Sequence, residues 1–325
     1  MERRKVIKYG SFLFLTIVGF YLLSVYSFLV FHSLIEIFSI ATGFSIFMFY
    51  WLSRNRIENP FYLFLGIGSF FIGMIDLLHV LSYKGMNIFE GFDANLPTQL
   101  WIASRYLQLI SIILALTIRK NKNHEITVFL LYTVVSLLVS LAIFVFKIFP
   151  VCFIEGEGLT PFKKISEYVI SLGLIGSIFL LRSRKEEFPQ EIRWNLYLFF
   201  ILTALSELSF TFYISVFGIS NVIGHLFKFL ANIILLQSIL IIGLKNPYNI
   251  IFRELKQREK ELEEKLKHIK TLSGLLPICS NCHKMRDDKG YWHRVDEYLH
   301  THTDAELTHG ICPECVKKLY GDLNF

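Results

Sequence analysis

The chain has 325 residues, of which 53% are hydrophobic and 32 are phenylalanine, and its mean hydropathy is +0.48. Such values exclude an ordinary soluble domain and match a polytopic membrane protein. The net charge of +6 lies in short basic clusters between apolar stretches, which points to membrane orientation and away from nucleic acid.

Apolar residues fill positions 11–244, whereas 245–325 are polar and hold four of the five cysteines. This shift predicts a membrane domain over 1–246, a connector over 247–272 and a small module over 273–325. Met1-Glu2-Arg3-Arg4-Lys5 runs into the first apolar stretch with no small-residue cleavage site, so no signal peptide is expected. A span takes about 20 apolar residues. Eight stretches qualify: 11–31, 33–53, 61–82, 99–118, 126–148, 165–182, 194–217 and 222–244. The expected fold is therefore all-α and polytopic, with about eight transmembrane helices. The first two spans are expected to join at His32-Ser33; a single bent helix there would move the C-terminus to the other side, but the basic flanks of 11–53 favour two spans.

Lys and Arg mark the inner side of a membrane. One set of connections holds Arg3, Arg4, Lys5 and Lys8, then Arg54 and Arg56, then Arg119, Lys120 and Lys122, then Arg182, Arg184, Lys185 and Arg193. The alternate set holds only Lys84, Lys147, Lys163 and Lys164. Both termini are thus expected inside, in a bacterial inner membrane. With that topology the ionisable residues gain a depth. Glu36, Asp76, His79, Arg105, Gln108, Glu207, His225 and Lys228 all fall in the outer half, with Asn232 one turn deeper than Lys228. Asp76 and His79, Arg105 and Gln108, and His225 and Lys228 are each three apart, so each pair shares a helix face.

A charged group in hydrocarbon costs at least about 2.5–3.5 kcal/mol, so such residues rarely sit there without a role. Two readings stand for single residues: snorkelling or structural ion pairs such as Asp76–Arg105 and Glu207–Lys228, or a shared ligand pocket. Their concentration on one side favours the pocket. His79 and His225 suit haem or a metal; the Arg, Lys and His set equally suits an anionic or quinone-like molecule. Cys152, alone in an outer loop, is read as structural or incidental.

The run Gly73–Met86, with Asp76, His79 and Ser82-Tyr83-Lys84-Gly85-Met86, and Arg105-Tyr106 after the outer loop, resembles the membrane-associated sensor domain of the third type. That is the multi-span input module of many bacterial histidine kinases and diguanylate cyclases. The resemblance covers about 10–245 and implies sensory input without naming a ligand.

After Lys245-Asn246-Pro247, residues Leu255, Leu262, Ile269 and Leu276 recur every seven, with Phe252 and Leu266 at the offset positions and Glu259 and Ser273 interrupting. A short coiled coil making a parallel homodimer over 248–272 is expected; a monomeric amphipathic helix on the bilayer is the other reading. Cys279-Ser280-Asn281-Cys282 and Cys312-Pro313-Glu314-Cys315 are two CxxC knuckles at structural-zinc spacing. Some fifty residues bury too little apolar surface to fold alone, and a metal between two loops supplies the missing free energy. A zinc-ribbon-like module with Cys279, Cys282, Cys312 and Cys315 as ligands is expected, with His283 and His309 as alternative ligands. Cys279–His283 also spells CxxCH, the haem-attachment pattern; the inner placement and the unused second knuckle weigh against it. The segments Leu272–Cys279, Arg286–Trp292 and His309–Cys315 resemble a small C-terminal element found after coiled coils in bacterial receiver-, PAS- and GAF-containing proteins. The resemblance implies a cytoplasmic signalling context and no activity.

No Gly-rich nucleotide box or cyclase signature appears, and His268 on the connector is read as a solvated helix residue, so no enzyme is expected. The sequence reading is a dimeric inner-membrane sensor that detects a small ligand or cofactor state in its outer half and relays it to a kinase, cyclase or response regulator. A haem- or quinone-binding membrane redox protein is the alternative. A transporter is disfavoured by the scarcity of polar residues in the inner half.

Overall fold

The computed structural model describes residues 2–54, 59–118, 124–212, 218–240, 256–266, 276–302 and 306–321. The chain divides into two compact units, Met1–Pro247 and Tyr248–Phe325.

Among the described residues the first unit contains eight α-helices: α1 Glu2–Tyr26, α2 Phe28–Ser53, α3 Pro60–Leu81, α4 Asn95–Thr117, α5 Glu125–Phe144, α6 Pro161–Ser183, α7 Gln190–Ser209 and α8 Ile219–Leu240. Their starts follow local chemistry. Asn59 caps α3 by accepting from the Phe61 N–H at 3.0 Å, with Pro60 in the first turn. Thr160 caps α6 by accepting from the Lys163 N–H at 3.3 Å, with Pro161 beside it. In both places a proline fills a position whose N–H has no helical partner, and the cap satisfies a neighbour. Six helices, α2 to α6 and α8, are long and apolar enough to cross a membrane by length and composition. α1 adds a shorter apolar stretch, Gly10–Tyr26, and α7 is set apart by Glu191, Arg193 and Glu207.

The join between the first two helices differs from expectation. α1 ends at Tyr26, and Ser27, with extended backbone (φ −153°), accepts from the Val30 N–H at 3.5 Å to start α2. The break therefore lies at Ser27 and not at His32-Ser33. His32 rides on α2, one turn before Glu36 and on the same face.

Contacts run α2–α3–α4–α6–α7–α8 and back to α2, which closes a ring of six helices. α5 lies outside against α3 and α4, and α1 outside against α2 and α8. The outer face of α5 shows Leu130, Leu131, Val134, Leu137 and Leu138, as a lipid-facing helix must. Between apolar helices in lipid, close packing and buried polar contacts supply the attraction. Gly43 of α2 shows this: a Cβ there would stand 2.9 Å from the Ser69 carbonyl oxygen of α3. Phe31 and Ile35 of α2 meet Val222 and Phe229 of α8 in a separate apolar cluster, with Phe20 of α1 edge-on to Phe229 at 4.9 Å.

One end of the ring carries the α3–α4 connection and a short hairpin, β1 Phe153–Ile154 with β2 Gly158–Leu159. This hairpin end is tied down. The Asn95 Oδ1 accepts from the Cys152 and Phe153 N–H groups at 2.7 and 3.1 Å, and the Gln99 amide donates to the Phe149 and Pro150 carbonyls. Cys152 is buried there, and burial pushes its thiol up to about 12. At the opposite end Arg184, buried after α6, donates to the Ala115 carbonyl at 2.8 Å and pairs with Glu187, and it reaches Asn59 at 3.5 Å.

In the second unit residues 256–266 form a helix, α9, with Leu262 and Leu266 exposed. Phe252, Leu255, His268, Ile269 and Ser273 lie outside the described residues. The cysteine module has a hairpin, β3 Met285–Arg286 with β4 Trp292–His293, then α10 Val295–His302 and α11 Pro313–Tyr320. The first knuckle precedes the β3–β4 hairpin and the second opens α11.

Candidate functional site

Five helices converge just below the hairpin end. α2 presents His32 and Glu36, α3 Asp76 and His79, α4 Trp101, Ser104, Arg105 and Gln108, α7 Glu207, and α8 Asn221, His225 and Lys228. All are buried except Gln108, which is half-buried. The three-residue spacings noted in the sequence place both members of each pair inward.

Asp76 is the hub of the charged layer. Arg105 Nη2 donates to both its oxygens at 2.7 and 2.6 Å, Ser104 donates its hydroxyl proton to Oδ1, and Lys228 Nζ lies 3.4 Å from Oδ2. Arg105 also donates to Gln108 Oε1 at 2.9 Å. Lys228 makes its shortest contact with Glu36 Oε2, at 2.6 Å. Of the two ion pairs that the alternative reading offers, Asp76–Arg105 is present, whereas Lys228 pairs with Glu36 and Asp76 and not with Glu207. Glu207 instead accepts from the Trp101 indole N–H at 3.3 Å, and both cations stand over the Trp101 ring, Arg105 at 4.7 Å and Lys228 at 4.4 Å. Lys163 and Glu167, one turn apart on α6, form a further buried ion pair.

Toward the hairpin end an aromatic and imidazole layer sits against the charged one. His32 stacks on Tyr83 with ring centroids 3.8 Å apart and lies 5.3 Å from the His79 ring and 4.8 Å from the His225 ring. Burial raises the Tyr83 phenol above its ordinary value, so it stays a neutral donor. His79 Nδ1 is 2.7 Å from the Pro97 carbonyl and His225 Nδ1 is 2.8 Å from the Asn221 carbonyl. Two small cavities adjoin these layers: one of about 30 Å³ lined by His32, His79, Tyr83, Trp101 and His225, and one of about 50 Å³ lined by Asp76, Arg105, Gln108, Lys228 and Asn232.

Several polar atoms of this centre have no hydrogen-bond partner among the described residues: His32 Nδ1, Glu36 Oε1, His225 Nε2, Arg105 Nε and Glu167 Oε2. An unpartnered buried polar atom costs about 1–3 kcal/mol, and more when charged, so this layer is a costly part of the helix ring. His32, Lys163, Glu167 and Trp101 escaped the sequence reading. His32 was placed in a turn; a serine before an apolar run, at Ser27, is the signal that would have moved the helix start. Lys163 was counted as a basic flank, and only its partner one turn on indicates burial.

In the second unit Cys279 N–H donates to the Lys284 carbonyl at 2.9 Å and His283 N–H donates back to the Cys279 carbonyl at 2.9 Å, forming a tight knuckle turn. Cys312 precedes α11, and Cys315 lies in its first turn. The N–H groups of Cys282 and Asn281 lower the Cys279 thiol and that of Cys315 lowers the Cys312 thiol, as suits metal ligation. Each knuckle pairs its own two sulfurs, but no group of three or more of these sulfurs assembles among the described residues; the single such group of ligand-type side chains is His32, Glu36 and His225.

A ring of apolar helices around a buried charged layer, closed by loops at one end, defines a polytopic membrane input domain. The chain belongs to the MASE3 family of membrane-associated sensor domains, whose profile matches residues 23–247. It is therefore a membrane sensor. No curated protein and no solved structure matches the chain significantly.

Proposed function

We propose that this sensor is an eight-span protein of a bacterial inner membrane, with both termini in the cytoplasm. A small ligand enters from the hairpin side, engages the Asp76, His79, Arg105, Gln108, Glu207, His225 and Lys228 centre, and changes how α8 packs against α2 and α3. The observation that carries this reading is Lys228: one ammonium on α8 holds carboxylates of both α2 and α3, so any ligand that competes for Glu36 or Asp76 alters the seat of α8. The chain leads from α8 into the connector, where a dimeric coil passes the change to the cysteine module. There Cys279, Cys282, Cys312 and Cys315 close on one structural zinc, and the module docks a kinase, cyclase or response regulator. The chain itself performs no catalysis. A haem between His79 and His225 is disfavoured because His32 packs against both rings.

The experiment is disulfide cross-linking of Leu262→Cys in native membranes, read in the wild-type pocket and in Lys228→Met. The expected result is a covalent dimer whose rate of formation shifts by severalfold with the pocket substitution. No dimer at Leu262 or at neighbouring heptad positions overturns the coil, and a rate indifferent to Lys228→Met overturns the relay. Metal analysis completes the test: zinc bound to the cysteine module is lost in Cys279→Ser/Cys312→Ser, and its full retention refutes the thiolate site.

A further inference from the structure

The tautomers of the imidazole layer are fixed by their neighbours. A carbonyl oxygen only accepts, so His225 carries its proton on Nδ1, facing the Asn221 carbonyl, and His79 carries its proton on Nδ1, facing the Pro97 carbonyl. With one proton on the ring, Nε2 is then a bare lone pair. His225 Nε2 stands 3.4 Å from Glu36 Oε1, lone pair against anionic oxygen, and neither atom has a hydrogen-bond partner among the described residues. His79 Nε2 stands 3.3 Å from His32 Nε2. That second contact is a hydrogen bond when His32 carries its proton on Nε2, so the bare pair is His225 Nε2 against Glu36 Oε1, which do not approach each other in a buried site unless a cation, proton or metal, belongs between them. A ring nitrogen whose mate is pinned to a carbonyl is also the orientation that metal-binding histidines adopt.

The distances carry the same message. Bonds of about 2.0–2.2 Å at tetrahedral angles set neighbouring ligand atoms roughly 3.3–3.5 Å apart, which matches both pairs. His32, Glu36 and His225 each offer a ligand atom, all within 4.8 Å of one another. The charges agree: the buried side chains of this centre include four acids, Glu36, Asp76, Glu167 and Glu207, against three bases, Arg105, Lys163 and Lys228. Lys228 occupies Glu36 Oε2 and leaves Oε1 free.

We infer that His32, Glu36 and His225 bind a divalent first-row transition-metal ion of the imidazole-preferring kind, such as zinc, copper or nickel, with His79 or water in the fourth position. Calcium and magnesium are excluded by the imidazole donors, since both take oxygen ligands. The α8–α2 pair, His225 Nε2 and Glu36 Oε1, already stands 3.4 Å apart, near the edge of a closed tetrahedron, about 3.3 Å. This names the ligand class of the pocket proposed above and rests on that reading only for its signalling role.

The test uses the full chain in lipid nanodiscs with all four C-terminal cysteines changed to serine, titrated with Cu²⁺ and Co²⁺. One Cu²⁺ per chain with imidazole nitrogen coupling in its electron paramagnetic resonance spectrum is expected, together with a four-coordinate Co²⁺ spectrum lacking thiolate bands. His225→Ala and Glu36→Gln should each weaken binding about tenfold or more. Absence of a nitrogen-coupled site, or the same signal and affinity in both variants, overturns the assignment; the first result leaves a protonated His225 as the cation. Should the variants fail to fold, Zn²⁺ protection of His32 and His225 from diethyl pyrocarbonate in the wild-type chain decides, and equal modification with and without Zn²⁺ overturns it. If metal binding fails while Lys228→Met still shifts cross-linking at Leu262→Cys, the metal falls and the sensor reading stands. If metal binds and cross-linking is indifferent to it, the metal site stands and the sensor reading falls.

Discussion

The two ends of the helix ring each bury an arginine, and they use it differently. At the end opposite the hairpin, Arg184 donates to the Ala115 carbonyl, to the half-exposed Glu187 carboxylate, and at longer range to Ile118 and Asn59. Its partners come from the loops and helix ends of α3, α4 and α6, and the site is saturated. At the hairpin end Arg105 enters a layer whose polar atoms remain partly unpartnered and which borders two cavities. The first arrangement is a latch. The second keeps unmatched donors and acceptors beside open volume, which lowers stability unless a ligand completes it. Stability and receptivity are thus separated along the helix axes.

The largest expected effect tests whether the hairpin end is closed by its loops. With the Cys152 thiol pushed up to about 12 from an ordinary 9, its thiolate at neutral pH is about a thousandfold scarcer than that of an ordinary cysteine. Since thiolate is the reactive form, alkylation should rise with pH toward about 12 and stay slow below it. The half-buried Cys279 and the exposed Cys312, whose thiols are lowered, should react first. Rapid labelling of Cys152 at neutral pH in folded protein, read by mass spectrometry, would show the loops to be open.

Next in size is Asp76→Asn. It leaves Arg105 and Lys228 as buried cations short of a carboxylate, and breaking one partner of a buried pair costs about 3–5 kcal/mol. A large drop in melting temperature in detergent is expected. An unchanged melting temperature would mean that Lys228 and Arg105 are already solvated. Arg184→Met should cost less, about 2 kcal/mol, because Glu187 is partly exposed and only the carbonyls lose a charged donor. Comparing the two separates the ends: Arg184→Met should lower stability without altering metal binding at His225, and an equal loss of both would erase the distinction between latch and receiver.

Much of this was legible because membrane burial is costly. Asp76, Arg105 and Lys228 stood out as ionisable residues in apolar runs, and all three meet in the structure. The charge pattern could not choose partners, however. Lys228 and Glu207 sit at compatible depths on the adjoining helices α8 and α7, yet Glu36 of α2, the other neighbour of α8, takes the ammonium; which neighbour a side chain turns toward is a fact of packing that periodicity does not encode. Lys163 shows the opposite limit: a lysine in a helix's first turn reads as a flank until its partner Glu167 is seen buried beside it.

The smallest effect concerns His32, whose role depends on one helix start. Ser27 caps α2 through a long contact to the Val30 N–H, so Ser27→Ala should cost only about 1 kcal/mol. Its consequence at the hairpin end should be larger than at the other. Without the cap the break between α1 and α2 is free to slide toward His32, and the ring that stacks on Tyr83 and faces His79 loses its fixed direction. Ser27→Ala should therefore weaken metal binding and expose His32 to diethyl pyrocarbonate while the melting temperature moves by only a few degrees. If His32 stays protected and binding is unchanged, its position is held by Tyr83 and His225 rather than by the start of α2.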